Sequence, residues 1–300
     1  MKAIELGATL YVPALSPKLE DCVAGVDPNV RSIIVCLEDS IRDDEVDEAE
    51  RRLARMLPTW ENRSSGPMVC VRPRDVQMLE RILKIPEIGC ITAFVLPKVT
   101  VENLSGWLRV MSDTDHSFMP TIEGMEAFDL AALSRMRDSL SAHVERVMAI
   151  RIGGNDILNL LGVRRSRTRT AYEGPLGAAI RLIASVFLPS GMDVAAPVFE
   201  HFAACEVLIA EMELDIEHGL LTKTAIHPVQ LAIMHEAYRP MAIEVSEARA
   251  ILAQGAAGVF GLHGSMCEPA THRRWAESII ERARVHGVSG HASDNQSLVA

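Results

Sequence analysis

Residues Val147–Gly162 read VMAIRIGGNDILNLLG, and this stretch decides the fold. Val147–Ile152 is a short apolar run with the character of a buried strand. It breaks at Gly153-Gly154 and delivers Asn155 and Asp156 where a helix begins, which makes a strand-to-helix turn. A carboxylate at such a turn sits at the carboxyl end of a strand, where α/β enzymes place their chemistry.

Working outward, the same grammar recurs. Strands are expected at Ala8–Ala14, Ser32–Leu37, Met68–Val71, Thr92–Leu96, Ser117–Ile122, Met192–Ala195 and Thr222–Ile226, with helical stretches between them. Among those helices, Asp43–Leu57 is expected to stop at Pro58; Val101–Met111 and Phe128–Leu140 are others. Alternating strands and helices imply parallel units with right-handed crossovers. Eight of them predict an α/β (β/α)8 TIM barrel, a fold of roughly 250 residues. A doubly wound open sheet is the rival, but no glycine-rich dinucleotide turn follows the first strand. The predicted organisation is a barrel domain over 1–239, a C-terminal helical arm over 240–286 and a polar, flexible tail over 287–300. The arm holds helices at Ile243–Ala253 and Thr271–His286, joined by a glycine-punctuated link, Gly255–Gly264. It exceeds what a barrel needs and is expected to pack on a neighbouring subunit, as in a homotrimer or other homo-oligomer.

Composition narrows the class. With 300 residues and 48% hydrophobic content the chain can bury a sizeable core, and its net charge of −10 disfavours nucleic acid and anionic membrane as partners. The six cysteines are scattered without a CxxC pair, which suggests reduced thiols in a cytoplasmic protein. No secretory signal and no membrane-spanning run is apparent.

Charged groups decorate the predicted strand ends: Glu38 and Asp39, Arg72, Lys98, Glu123, Asp156 and His227. A purely structural barrel has no reason to charge one rim so regularly. Glu123 and Asp156 are the candidate metal pair. Hard carboxylate oxygens suit Mg²⁺ or Mn²⁺, and Mg²⁺ commonly takes one or two protein carboxylates plus waters and substrate oxygens. The alternative is a helix cap for Asp156 and a salt bridge for Glu123. Zinc is disfavoured because the ten histidines form no HxxxH or Cys/His cluster. Arg72 is either a bidentate clamp for a substrate carboxylate or carbonyl, or a rim ion pair. Glu38 and Asp39 orient Lys98 or metal-bound waters, or cap the following helix. Lys98 is a charged structural lysine or, if desolvated, a Schiff-base nucleophile. His227 reads as part of a strand-end turn. The run Arg164-Arg165-Ser166-Arg167-Thr168-Arg169 is a candidate phosphate site through Arg164, Arg165 and Arg167, or a solvated loop.

Taken together, LYVPA, CLEDS, VRPRD, VLPKV, PTIEG, RIGGNDI, AAPVFE and KTAIHPVQ, in that order, resemble the citrate lyase β-subunit and HpcH/HpaI aldolase superfamily. The resemblance runs from Tyr11 to about Arg284, and GSMCEPATHRRWAESII resembles that family's C-terminal motif. IRIGGNDILNLLGVRR and MCEPATHRRWAE resemble more narrowly the C–C bond lyase-like proteins of tellurite-resistance and stress-associated gene clusters. The resemblance implies a TIM barrel, usually trimeric or hexameric, that uses Mg²⁺ to cleave or form a C–C bond beside a carbonyl. It implies Glu123 and Asp156 as metal ligands and Arg72 as the contact to the substrate's keto or carboxylate oxygens. It further implies Glu38 and Asp39 as supporting acids and Glu268 as an acid reaching a neighbour's site. Gly154, Asn155 and Pro197 would lie against the substrate.

This chain departs from the family's pattern at four places. Cys36 replaces the first acid of DLED, Glu268 replaces an aspartate, Ser265 replaces a lysine, and Arg72-Pro73-Arg74 replaces Arg-Val-Asn. These changes spare the metal ligands but count against citryl- or malyl-coenzyme A as substrate. The expected substrate is a 2-keto or 2-hydroxy acid or its acyl-coenzyme A ester, with metal and Arg72 stabilising the developing enolate or alkoxide. Open alternatives are a Schiff-base aldolase on Lys98 or Lys223, a thioesterase or malate synthase-like condensation on the same metal, and a catalytically silent metabolite- or partner-binding barrel.

Overall fold

The computed structural model of the chain describes residues 2–63 and 65–290. The strands are β1 (Ala8–Pro13), β2 (Ser32–Cys36), β3 (Met68–Arg72), β4 (Ala93–Leu96), β5 (Ser117–Ile122), β6 (Ile150–Ile152), β7 (Val194–Ala195) and β8 (Lys223–Ala225). They form one parallel sheet in the order β7-β6-β5-β4-β3-β2-β1-β8. A parallel bridge between Ala196 and Lys223 joins its two edges, with the Ala196 amide donating to Thr222 O at 2.8 Å. The sheet is therefore a closed (β/α)8 barrel, as the alternation of elements predicts.

The helices are α1 (Leu19–Ala24), α2 (Val46–Glu61), α3 (Val76–Ile82), α4 (Leu104–Met111), α5 (Leu130–Ser141), α6 (Gly154–Leu160), α7 (Leu176–Phe187), α8 (Cys205–Glu217), α9 (Val229–Ala237), α10 (Ala242–Leu252) and α11 (Pro269–His286). In α2, Ala49, Leu53, Met56, Leu57 and Trp60 are buried at helical spacing. Here the structure corrects the sequence expectation, because α2 passes through Pro58. Burial of Trp60 rewards one more turn, which outweighs the backbone hydrogen bond that proline forfeits. Asn62 ties that turn off by donating from Nδ2 to Pro58 O at 2.8 Å.

Every residue of β2 is buried, as a strand covered on both faces requires. Small residues fill much of the barrel interior: Cys70, Ala93, Ala149 and Ala195 are buried together with Ile34, Val95 and Met119. Small side chains at the base leave room above them for polar groups.

Among the described residues the chain divides into two compact units, Met1–Met234 and His235 onward. In the second unit α10 and α11 share a core of Val245, Ala248, Ile251, Cys267, Ala276 and Ile279. The stretch expected to be only a link contains an antiparallel hairpin, Phe260–Leu262 paired with Ser265–Cys267. It turns on His263 and Gly264, both at positive φ (52° and 83°). Strands this short carry no legible alternation. Of the tail expected from Gly287, Ser289 donates its amide to Pro240 O at 3.0 Å, and residues 291–300 lie outside the described residues.

A buried ionic cluster locks β8 to α8. Lys223 Nζ lies 2.8 Å from both Glu211 Oε1 and Asp215 Oδ2, and all three side chains are fully buried. Arg165 Nη2 and the Ala171 amide also reach Glu211 Oε2, and Tyr172 donates its hydroxyl to Asp215 Oδ1 at 2.7 Å. Burial works against the charged form of Glu211, yet Lys223 and Arg165 outweigh it and hold the carboxyl below its ordinary value. Removing one member strands opposite charges in the interior. Lys223→Met should therefore lower unfolding free energy by roughly 3–5 kcal/mol, read from urea denaturation. A loss within about 0.5 kcal/mol, the usual scale of an exposed substitution, would contradict this role.

Candidate active site

The functional side chains are delivered by the ends of five successive strands. Glu38 and Asp39 follow β2, Arg72 ends β3, Lys98 follows β4, Glu123 follows β5, and the Gly153–Asp156 turn follows β6. The barrel brings them to one carboxyl-terminal rim, around a cavity of about 600 Å³ lined by Asp39, Arg72, Glu123, Gly154, Asn155 and Asp156 among others.

The centre of the rim is an ion network. Arg72 Nη2 lies 2.9 Å from Glu38 Oε2, 3.4 Å from Asp39 Oδ2 and 3.3 Å from Glu123 Oε1. Lys98 Nζ lies 2.5 Å from Glu38 Oε1 and 2.9 Å from Asp39 Oδ1. Lys98 has a φ of 48°, rare for a non-glycine residue, and its amide donates to Glu123 Oε1 at 2.5 Å. That backbone turn fixes the Glu123 carboxylate on one side while Arg72 fixes it on the other.

Electrostatics separate the acids. Burial, opposed by Arg72 and assisted by Asp156, pushes Glu123 up to about 7. Burial also raises Glu38. At Asp39 burial acts the same way, but hydrogen bonds from its neighbours and the charges of Lys98 and Arg72 prevail and lower it. Lys98, although burial disfavours its charge, is raised by Glu38 and Asp39. A lysine held so firmly protonated is a poor Schiff-base nucleophile. Lys223, the other candidate, is walled off in the ionic cluster behind β8.

The two glycines of the opening stretch have separate steric reasons. A Cβ at Gly153 would collide with Glu123 Cβ and Oε2, so only glycine lets that carboxylate lie against the end of β6. A Cβ at Gly154 would stand 2.8 Å from Pro197 Cβ and 3.1 Å from Leu176 Cδ2. Gly153, not Asp156, occupies the N-cap of α6, and Asp156 lies in its first turn. The capping alternative for Asp156 thus gives way to a carboxylate on the cavity wall.

The arginine run divides. Arg165 turns inward, its side chain buried, donating to Val198 O at 2.7 Å and pairing with Glu211. It anchors the loop and is not free to hold a phosphate. Arg164 is exposed and pairs with Glu200 Oε1 at 2.9 Å, while Arg167 is exposed. None of the three lines the cavity. His227 accepts from the Val229 amide at 3.2 Å and stacks on Phe202, which fits a strand-end turn. Glu268 belongs to the second unit, where it precedes α11 and accepts from Thr271 Oγ1 at 3.0 Å.

Sequence reasoning missed the residues deeper in the barrel. Tyr11, Thr121, Arg151 and Thr224 also line the cavity. The available signal was Arg151 itself, a lone arginine inside the apolar run MAIRI, two residues before Gly153 and so on the same inward face.

Comparison with known proteins agrees with this geometry. The sequence matches the family described as C–C bond lyase of the TIM-barrel fold over residues 1–288. A (3S)-malyl-CoA thioesterase of Cereibacter sphaeroides is 26% identical over 241 residues, 79% of each chain. Among solved structures, a citrate lyase of Burkholderia xenovorans superposes with a TM-score of 0.75 at 20% identity, over 96% of this chain and 94% of that one. The protein CitE of Mycobacterium tuberculosis, in complex with magnesium, acetoacetate and coenzyme A, gives 0.68 at 19%, over 94% and 99%. The malate synthase of Haloferax volcanii gives 0.65 at 14%, over 80% and 76%. The closed barrel, the carboxylate-rich rim and the family match together place this chain in the C–C bond lyase family of the TIM-barrel fold.

Proposed function

We propose that the protein is a Mg²⁺- or Mn²⁺-dependent carbon–carbon bond lyase acting on a 2-keto or 2-hydroxy acid or its coenzyme A thioester. The observation that carries this is the convergence of Glu123 and Asp156 on one cavity, with Arg72 against Glu123. The residues fit a hard divalent cation. Glu123 and Asp156 both line the cavity, and glycine at 153 leaves room for the Glu123 carboxylate; among the described residues no group of three or more His, Cys, Asp or Glu forms a complete protein cage, so the protein offers only this pair. Glu123 and Asp156 would hold the ion, leaving other positions for substrate oxygens and water, as Mg²⁺ prefers. When bound, the ion supplies positive charge to the oxygen on which negative charge develops.

The chain's own groups do the rest. Arg72 orients the substrate's oxygens and offers its guanidinium to the developing charge; its Nε is buried with no hydrogen-bond partner. Glu38 and Asp39 hold Arg72 and Lys98 in place. Gly154 and Asn155 form the adjoining wall of the substrate site, while Pro197, expected to touch substrate, does not line the cavity and packs behind Gly154. The rim carboxylates are committed to Arg72, Lys98 or the cation. We therefore assign proton transfer to Glu268 of a second copy in a homo-oligomer, whose carboxylate, among the described residues, makes a local bond to Thr271. Glu38 and Asp39 then act as positioning residues.

Thioester hydrolysis on the same site is the second reading, favoured by the similarity to a malyl-CoA thioesterase. Product analysis separates the two. Cleavage yields two carbon fragments, whereas hydrolysis releases coenzyme A and leaves the acid's skeleton intact.

Two outcomes test the metal pair. Asp156→Ala should weaken Mg²⁺ binding at least about tenfold in titration calorimetry, since a ligand is lost. Unchanged affinity would remove Asp156 from the ligand set. Because Glu123 titrates near 7 and binds the cation only as carboxylate, Mg²⁺ affinity should fall about tenfold per pH unit below 7 and level off above it. A flat profile between pH 5.5 and 8 would contradict this. The linked stability has the opposite sign. Glu123's folded value is raised, so its contribution to metal-free stability is present at low pH and is lost as pH rises through 7. Relative to Glu123→Gln, the metal-free wild type should become less stable across that window.

A further inference from the structure

Beneath the rim, the barrel holds a positive charge that nothing described in the chain neutralises. Arg151 projects from β6 into the interior at 3% exposure. Its partners are the Thr224 hydroxyl, Met119 Sδ at 3.7 Å and the face of Tyr11, with Cζ at 5.5 Å from the ring centroid. All three are neutral. No carboxylate among the described residues pairs with it, although Arg72 on the rim touches three. A buried, unpaired ion is expensive, and buried charges in proteins are ordinarily paired.

A second observation lies next to it. Thr121, whose Cα is the direct β-ladder partner of Arg151, is 4% exposed, and its Oγ1 has no hydrogen-bond partner. It also lines the cavity. An orphaned hydroxyl and an uncompensated guanidinium, side by side on the wall of one cavity, form a receptor for an anion. Ala195, the other ladder partner of Arg151, is small, and Cys36 lines the same cavity.

We propose that Arg151, with Thr121, binds a second carboxylate of the substrate, which makes the substrate a short keto or hydroxy diacid with one acid group directed into the barrel. This rests on the proposed keto- or hydroxy-acid function. Thr121 and Arg151 lie two residues below Glu123 and Gly153, roughly 7 Å along the strands at about 3.3 Å per residue. That depth suits the far carboxylate of a short diacid whose other end meets Arg72. Arg151 is thus a specificity residue: it selects diacids over monoacids, because a site built for a charged oxygen penalises a ligand that leaves it empty.

Titration calorimetry in saturating Mg²⁺ tests this with matched probes, 2-oxoglutarate against 2-oxopentanoate and malate against 2-hydroxybutyrate. Each pair differs in whether the far carbon bears a carboxylate. The wild type should prefer the diacid by about tenfold or more in at least one pair. Arg151→Met should reduce that ratio to about one while leaving monoacid and Mg²⁺ affinities within about threefold, since the charge-assisted contact alone is removed. Arg151→Lys should retain part of the preference. A wild-type ratio near one, with monoacids binding in a Mg²⁺-dependent way, would overturn the diacid assignment alone. A preference that survives Arg151→Met would overturn the role of Arg151. Binding of none of the four acids would overturn the diacid assignment and the free-acid form of the parent function, leaving only its coenzyme A thioester form.

Discussion

One nitrogen of one side chain, Arg72 Nη2, lies within 3.4 Å of three carboxylates from two different loops, Glu38 and Asp39 after β2 and Glu123 after β5. The rim depends on that contact. Without the guanidinium, three acids from two strand ends would repel one another, and burial would drive Glu123 and Glu38 further towards their neutral forms. Lys98 supports the arrangement from the other side, but its charge is spent on Glu38 and Asp39, and only its backbone amide reaches Glu123. The outcome is a carboxyl fixed in position whose ionisation burial opposes, a group that gains from a divalent cation beside it.

Below the rim the electrostatics reverse. The barrel floor is built of small and apolar residues, and into it project Arg151 and Tyr11. A cation-seeking rim above a positively charged interior sorts a polar ligand by its two ends. The buried cluster of Lys223, Glu211, Asp215 and Arg165 lies outside this cavity and has a different task, clamping α8 and the arginine loop to the barrel wall.

Much of this was legible in the sequence, and for identifiable reasons. Strand runs such as SIIVC are largely apolar because parallel strands are buried on both faces, and the charged residues after most runs mark the carboxyl-terminal rim. Glu38, Asp39, Arg72, Glu123 and Asp156 could be named because topology alone brings strand ends together. What failed to show is what depends on contacts between distant residues. The extension of α2 through Pro58 is decided by where Trp60 is buried. The division of the arginine run is decided by Glu211, a residue on another helix. Arg151 was passed over because a single charge in an apolar strand reads as noise until the barrel closes and shows which way it faces.

The proposed chemistry requires Glu123 and Asp156 to share one divalent cation. Anomalous diffraction from crystals soaked in Mn²⁺ addresses it directly. A peak is expected within about 2.0–2.3 Å of a carboxylate oxygen of each residue, the spacing of hard cations to oxygen. Mn²⁺ bound elsewhere on the protein, with no peak between these two carboxylates, would contradict it.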